Sequence, residues 1–416
     1  MKLSEKEIIL KPQLEKTYFL KNKQKINNLK KIFYYFLFFV LFNIGTIIII
    51  IIQINYRNQF FIKLIQQNTF SKLINDTYYK ISYLEKEIVK INAKIYYLSS
   101  RNKSFSNEID IIINKDGNLI FTQDINDKYI KIQNYFCDNP KIFYNKNIED
   151  KIQLADIKFK DKKFNMFVYR KSDIVSKNII KYKAWESVET NKLINALNYY
   201  SIKKNINKEE IYIIDIGANI GWYSFILSKY GYNIISFEPS EINSYMLKKT
   251  YCLNKEINLT IINKGLYTEE KKCFLYNNER NEGNGYVNCE QNHKPLKSFK
   301  KAEEIILTKL SNYAQFFNKK NLGLIKMDIE GSEGKAIESG IELITNYHVP
   351  FIFFEFTPRY LIKHGTGPKY FLQLFIDNGY KISSKDFFNN YTSVDEIIKK
   401  NYSQINLFLI HSKILE

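Results

Sequence analysis

Two groups of residues in this 416-residue chain have the type and spacing for chemistry at a bound small molecule. The first lies in residues 211–221, IYIIDIGANIG. Four apolar or aromatic residues predict a buried strand, Asp215 ends it, and Gly217 and Gly221 flank a tight turn into the helical run WYSFILSKYG. At the carboxyl edge of a parallel sheet, such a turn lets a ligand lie against backbone N–H groups at a helix N-terminus. Seventeen residues beyond Gly221, the next predicted strand, NIISFEP, ends in Glu238. Two carboxylate oxygens at that place suit the paired hydroxyls of a ribose. The third glycine of G-x-G-x-x-G is missing, which disfavours a nicotinamide dinucleotide and favours S-adenosylmethionine, a nucleoside without phosphate. The second group is Asp328, Glu330 and Glu355, which fall at or just past predicted strand ends. That is the edge where open α/β sheets bind ligands.

The elements that must position these residues alternate in type. Strand-like LTIINKGL (259–266), a hairpin pair KKCFLY and YVNCE, LGLIKMDIEG (322–331), PFIFFEF (350–356) and INLFLIH (405–411) are interleaved with helical GSEGKAIESGIELI and PKYFLQLFIDNG. Strands alternating with helices predict a doubly wound α/β sheet. The loop NERNEGNGYVN, 278–288, is glycine-rich enough for a mobile lid and equally suits an ordinary solvent loop. His293, His348, His364 and His411 form no i, i+4 pair, and neither a G-x-S-x-G elbow nor a P-loop occurs. Cys137, Cys252, Cys273 and Cys289 are too few for a disulfide framework and match no zinc spacing, which leaves the redox compartment open.

Upstream, Ile32 to Ile52 reads IFYYFLFFVLFNIGTIIIIII, twenty-one residues without a charge. At about 1.5 Å per residue this predicts a transmembrane helix. Lys21, Lys23, Lys25, Lys30 and Lys31 precede it, against Arg57 and Lys63 after it. The bias predicts a cytoplasmic N-terminus and a lumenal or extracellular remainder. Sequons at Asn75, Asn102, Asn258, Asn390 and Asn401 are compatible with that side. Ile74, Ile81, Leu84, Ile88, Ile91, Ile95 and Leu98 keep a heptad stripe, so the stem is either an oligomerising coiled coil or a single amphipathic helix. The predicted organisation is a basic cytoplasmic tail (1–31), the span (32–52), a helical stem (53–104), a strand-rich extension (105–172) and the α/β domain (173–412). The formal charge of +19 is nearly all Lys in a chain rich in Ile, Asn and Tyr. It reads as composition rather than a binding face, and no Arg patch interleaved with aromatics points to nucleic acid.

DIGANIGWYS, FEPS, IKMDIEGSE and FEF, with WES upstream, together resemble the FkbM-type methyltransferases of the Rossmann-like S-adenosylmethionine-dependent superfamily, over about residues 165–412. The resemblance implies a class I methyltransferase fold. It further implies that Asp215, Gly217, Asn219 and Gly221 shape the methionine pocket, that Glu238 binds the ribose, and that Asp328 and Glu330 lie on the acceptor side. The implied reaction is O-methylation of a glycan or other small or lipid-linked acceptor. A hydroxyl acceptor must lose its proton, so Asp328, Glu330 and Glu355 are candidates for the base or for ligands of a divalent metal. Glu330, next to Gly331 at a helix start, also suits the helix dipole alone. Trp185 and Glu186 are candidates to roof the site, or belong to the core. The competing expectation is a catalytically silent scaffold oligomerised through the stem, which needs no acid at the ribose position.

Overall fold

Two antiparallel strand pairs come first in the chain: β1 (Ile111–Ile113) with β2 (Leu119–Phe121), and β3 (Ile152–Phe159) with β4 (Lys162–Tyr169). The computed structural model describes residues 111–113, 119–121, 125–171, 173–278, 280–290, 293–313, 317, 320–400 and 402–416. The expected tail, membrane span and stem, 1–104, lie outside the described residues. Among the described residues no helix is long and apolar enough to cross a membrane.

The chain continues through β5 (Ile211–Ile216), β6 (Asn233–Phe237), β7 (Leu259–Ile262), β8 (Gly265–Leu266), β9 (Lys271–Asn278), β10 (Asn281–Asn288), β11 (Phe299–Thr308), β12 (Asn321–Met327), β13 (Phe351–Phe356), β14 (Tyr380–Ser383) and β15 (Ile405–His411). Seven of these form one sheet in the order β14-β15-β13-β12-β5-β6-β7. β7, β6, β5, β12 and β13 run parallel, and β15 is antiparallel to both of its neighbours. The chain winds outward from β5 in one direction and from β12 in the other. The carboxyl edge between these two strands is therefore a topological switch point. This is the doubly wound Rossmann-like α/β sheet that the alternation of elements predicts.

Burial on both faces explains the composition of the central strands. On β5, Ile211 and Ile213 join a core containing Leu193, Leu197 and Phe225 from helices Ser187–Lys204 and Trp222–Lys229; Ile214 and Ile216 join a second containing Ile337, Phe371 and Phe375. The two-residue period assigns polar side chains to faces as well. Asp215 shares the face of Ile213, Lys326 that of Leu324, and Glu355 that of Phe353, all on the first side.

The stretch expected to be strand-rich, 105–172, also contains the helix Ile125–Asp138. It lies along the free edge of β7: Gln133 Nε2 donates to the Leu259 carbonyl at 2.8 Å and Gln133 Oε1 accepts from the Ile261 N–H at 2.6 Å. One side chain thus stands in for a neighbouring strand and closes the edge. A disulfide, Cys137–Cys252, ties this helix to Glu241–Leu253, and Cys273–Cys289 links β9 to the residue after β10. The expectation that four cysteines make no framework is thereby corrected. Pairing across 115 residues depends on the fold, not on spacing. β10, β9, β11 and β8 form a separate four-stranded sheet. The glycine-rich segment 278–288 makes the β9–β10 turn, with a bulge, and β10 itself.

Candidate active site

The turn after β5 is built so that backbone meets backbone. Gly217 has φ +74°, and a Cβ there would lie 2.0 Å from the Asp328 carbonyl oxygen; Gly221 has φ +94°, with a would-be Cβ 2.4 Å from Leu247 Cδ2. Both positions demand glycine for conformation and for space. Asn219 between them also takes a left-handed conformation, φ +52°. The Phe237 carbonyl, at the end of β6, accepts from Gly217 N at 2.9 Å and Ala218 N at 3.1 Å, which pins the turn to the neighbouring strand.

Glu238 completes that attachment. Its carboxylate accepts from Asn219 N at 2.8 Å, Ser240 N at 2.9 Å and Asn243 Nδ2 at 3.3 Å, and the residue is 5% exposed. Burial pushes its carboxyl up to about 7 against the lowering effect of these donors. Near neutral pH it therefore exists in both protonation states.

Asp215 lies beneath the turn. Its side chain is buried, with Lys326 Nζ 3.2 Å from Oδ1 and the Ser224 hydroxyl donating to Oδ2 at 2.6 Å. Lys326, the register neighbour of Asp215 on β12, also donates to the Gly217 carbonyl at 2.9 Å. Burial pulls its ammonium down, but Asp215 and Asp328 more than reverse this and the net shift is upward. Lys326 and Ser224 lie within IKMDIEGSE and DIGANIGWYS, but the motifs give neither a role. The available signal is one cation near the end of an otherwise apolar strand, which calls for a buried partner.

A cleft of about 360 Å³, open mouth included, lies above this turn. Ile216 and Gly217 line it from β5, Phe237 and Pro239 from β6, Ile329 and Ser332 from the segment after β12, and Leu266, Tyr267, Val287 and Leu307 from the four-stranded sheet side. The β9–β10 segment reaches the glycine turn, where the Gly283 carbonyl accepts from Asn219 Nδ2 at 3.5 Å. Residues 281–288 are strand β10, in place of the expected lid or solvent loop, and Val287 stands in the cleft wall.

The acidic group stands at the carboxyl ends of β12 and β13. Asp328 is exposed, with its backbone N–H bonded to the Ile216 carbonyl at 3.0 Å. Glu330 is half-buried with φ +55°, and burial, then the charges of Asp328, Glu355 and Glu333, push its carboxyl strongly upward. Glu355, also half-buried, accepts from Gln404 Nε2 at 2.5 Å; burial and then Asp328 raise it as well. Glu186 accepts from the Tyr223 hydroxyl at 2.6 Å and is raised by burial, against that hydrogen bond. Trp185 packs half-buried against the core. Buried Glu333 accepts from Ile329 N at 3.0 Å and holds the loop after β12. Burial first, and then repulsion from neighbouring carboxylates, makes Glu330 and Glu355 more basic than an ordinary carboxylate. Among the described residues no three His, Cys, Asp or Glu side chains are grouped so as to hold a metal. Asp328, Glu330 and Glu355 are thus not arranged as a ligand set.

Known structures give remote likenesses. The bifunctional kinase-methyltransferase WbdD is 8% identical, with 54% of this chain and 39% of WbdD covered and a TM-score of 0.31. Magnesium protoporphyrin IX methyltransferase from Synechocystis PCC 6803, solved with bound SAH, is 11% identical over 57% of this chain and 87% of its own, at TM-score 0.28. The Pyrococcus abyssi tRNA (uracil-54, C5)-methyltransferase is 11% identical over 62% and 44%, at TM-score 0.27. This chain spans about two fifths of the length of WbdD. No curated protein matches the sequence. The family model of the methyltransferase FkbM domain matches residues 215–382, from the acid of β5 to the third residue of β14. Those residues are similar to the methyltransferase FkbM domain.

Proposed function

We propose that the chain is a membrane-anchored, S-adenosylmethionine-dependent methyltransferase that O-methylates a glycan or another small or lipid-linked acceptor. The observation that carries this reading is the cleft at the carboxyl edges of β5 and β6, lined by Gly217 of a turn that admits no side chain and by Phe237 and Pro239, the sequence neighbours of Glu238. Gly217, Asn219, Gly221 and Glu238 would hold the donor, which supplies an activated methyl on a sulfonium. Asp215 acts through Lys326, whose bond to the Gly217 carbonyl keeps the turn in place.

The remaining work is to align an acceptor hydroxyl and take its proton as the oxygen gains the methyl. Asp328, Glu330 and Glu355 stand at the neighbouring strand ends for this. A carboxyl raised toward neutrality is a stronger base than a solvated one and is still partly ionised at pH 7, which favours Glu355 as the acceptor of that proton; Asp328 is the other candidate by its exposed place at the end of β12.

The anchor at Ile32–Ile52, the cytoplasmic N-terminus, the lumenal or extracellular catalytic domain and association through the stem belong to the same proposal. The two disulfides support that side of the membrane, because such bonds persist in oxidising compartments. Exposed Asn258 and Asn390 in their sequons are compatible with it. The test is incubation of the full chain with methyl-labelled donor and glycan and lipid fractions from its own membranes. Label recovered as a methyl ether supports the acceptor class. Label found only in protein or nucleic acid would overturn it.

A further inference from the structure

Part of the lysine surplus, which composition alone assigns to drift, lies in one folded segment. Residues 151–183 hold ten Lys and Arg and three Asp. They fold as the β3–β4 hairpin and the helix Ile174–Tyr182, which meet where the Lys158 N–H donates to the Lys183 carbonyl at 3.1 Å. β3 turns Ile157 and Phe159 inward and Leu154 and Lys158 outward, and Lys160 is exposed in the turn that follows. The helix buries Ser176 and Ile179 and exposes Ile174, Lys177 and Lys181, spaced by three and four residues along one side.

The acids of this segment do not neutralise the face. Asp161 pairs with Lys162 at 2.8 Å, Asp156 accepts from Asn165 Nδ2 at 2.6 Å, and Asp173 is buried. Lys158, Lys160, Lys163, Lys171, Lys177 and Lys181 are left exposed. Among them stand uncovered apolar side chains: Leu154 at 51%, Ile174 at 50% and Tyr182 at 61% exposure. Long cationic side chains beside exposed aliphatic and aromatic groups suit a bilayer interface. The ammonium groups reach lipid phosphates while the apolar groups enter the headgroup boundary.

We propose that this face, β3–β4 with helix Ile174–Tyr182, docks on anionic phospholipid headgroups in the leaflet that faces the folded unit. Charge complementarity selects that occupant, and the apolar span Ile32–Ile52 keeps the folded unit near such a surface. The inference deepens the membrane-anchored reading and rests on it for the tether. It also bears on the cleft: the Ile174 N–H donates to Asn281 Oδ1 on β10 at 3.0 Å, and β10 contributes Val287 to the cleft. Docking through this face brings the Asn281 end of β10 to the membrane.

The full chain would be placed in nanodiscs of phosphatidylcholine alone or with phosphatidylserine added, and its lysines acylated for a short time and quantified by mass spectrometry. Lys369 and Lys255, exposed elsewhere, serve as internal references. The expected result is a several-fold fall in labelling of Lys158, Lys160, Lys177 and Lys181 in the anionic discs only, reversed by added salt. The variant K158E/K160E/K177E/K181E should lose the selective insertion-independent contact, read as equal labelling of Lys163 and Lys171 in the two lipids. Equal labelling of the wild-type face in both discs overturns the proposal without use of any variant. Protection by heparin or an oligonucleotide, with none from anionic lipid, overturns it in favour of a soluble polyanion. Donor binding measured on the same discs reports separately on the methyltransferase reading.

Discussion

Replacing Lys326 by Met removes one half of a buried ion pair and should be among the costliest single changes in the domain. The two side chains are 6% and 1% exposed, so Asp215 would keep a charge in a site closed to water. Removing one partner of a buried pair costs about 3–5 kcal/mol. The Ser224 hydroxyl still donates to Asp215 at 2.6 Å, which puts the expectation at the lower end of that range. The Gly217 carbonyl also loses its donor, so the turn loosens and donor binding falls with stability. Asp215→Asn should cost less, because Lys326 keeps the Gly217 carbonyl and an amide can still accept from Ser224. In the double variant both charges are gone, and a coupling of at least ~1 kcal/mol between the two sites is expected. Denaturant unfolding followed by tryptophan emission measures all three, with buried Trp222 two residues from Ser224. A loss below about 1 kcal/mol for Lys326→Met would refute the reasoning, since that is the worth of an exposed pair.

Glu238→Gln should weaken donor binding by about 1–3 kcal/mol at pH 8, since an amide loses one acceptor and the charge. Because burial places the Glu238 carboxyl near 7, calorimetry should find donor affinity rising from pH 6 to pH 8 in the wild type and flat in the variant. Buried Glu333 is raised from 4.5 to about 7, so its contribution to stability is full below about pH 4.5 and is lost as pH rises through 7. Glu333→Gln should therefore stabilise the fold by roughly 1–3 kcal/mol at pH 8 and leave it unchanged at pH 4, by chemical denaturation at the two values. Asp328→Asn should keep donor affinity and lower turnover by about 10²- to 10⁴-fold, the worth of general-base help. Chelators should leave turnover unchanged, because the three carboxylates are not grouped as metal ligands.

The parts of this molecule legible in the sequence are those where local chemistry and fold agree. An apolar run, a glycine turn and a second strand ending in an acid specify β5, its turn and β6, because Gly217 and Gly221 leave the chain no other residue type. The strand ends of Asp328 and Glu355 follow from the same alternation. The antiparallel direction of β15 does not: INLFLIH reads alike both ways and takes its place only when β13 and β14 flank it. Nor does the helix Ile125–Asp138, whose docking depends on the side chain of Gln133 pairing with a strand edge more than 120 residues away. Lys326 and the Cys137–Cys252 bond were hidden for the same reason: each meaning lies in a partner distant in sequence.

Calorimetric titration of the full chain in detergent with S-adenosylmethionine and with its demethylated product tests the central claim most directly. Saturable one-to-one binding of both, tighter than about 1 mM, which corresponds to −4.1 kcal/mol, and weakened in Glu238→Gln, is the predicted result. No heat at millimolar donor from protein whose tryptophan emission shows it folded would contradict the account and leave the α/β domain as a scaffold.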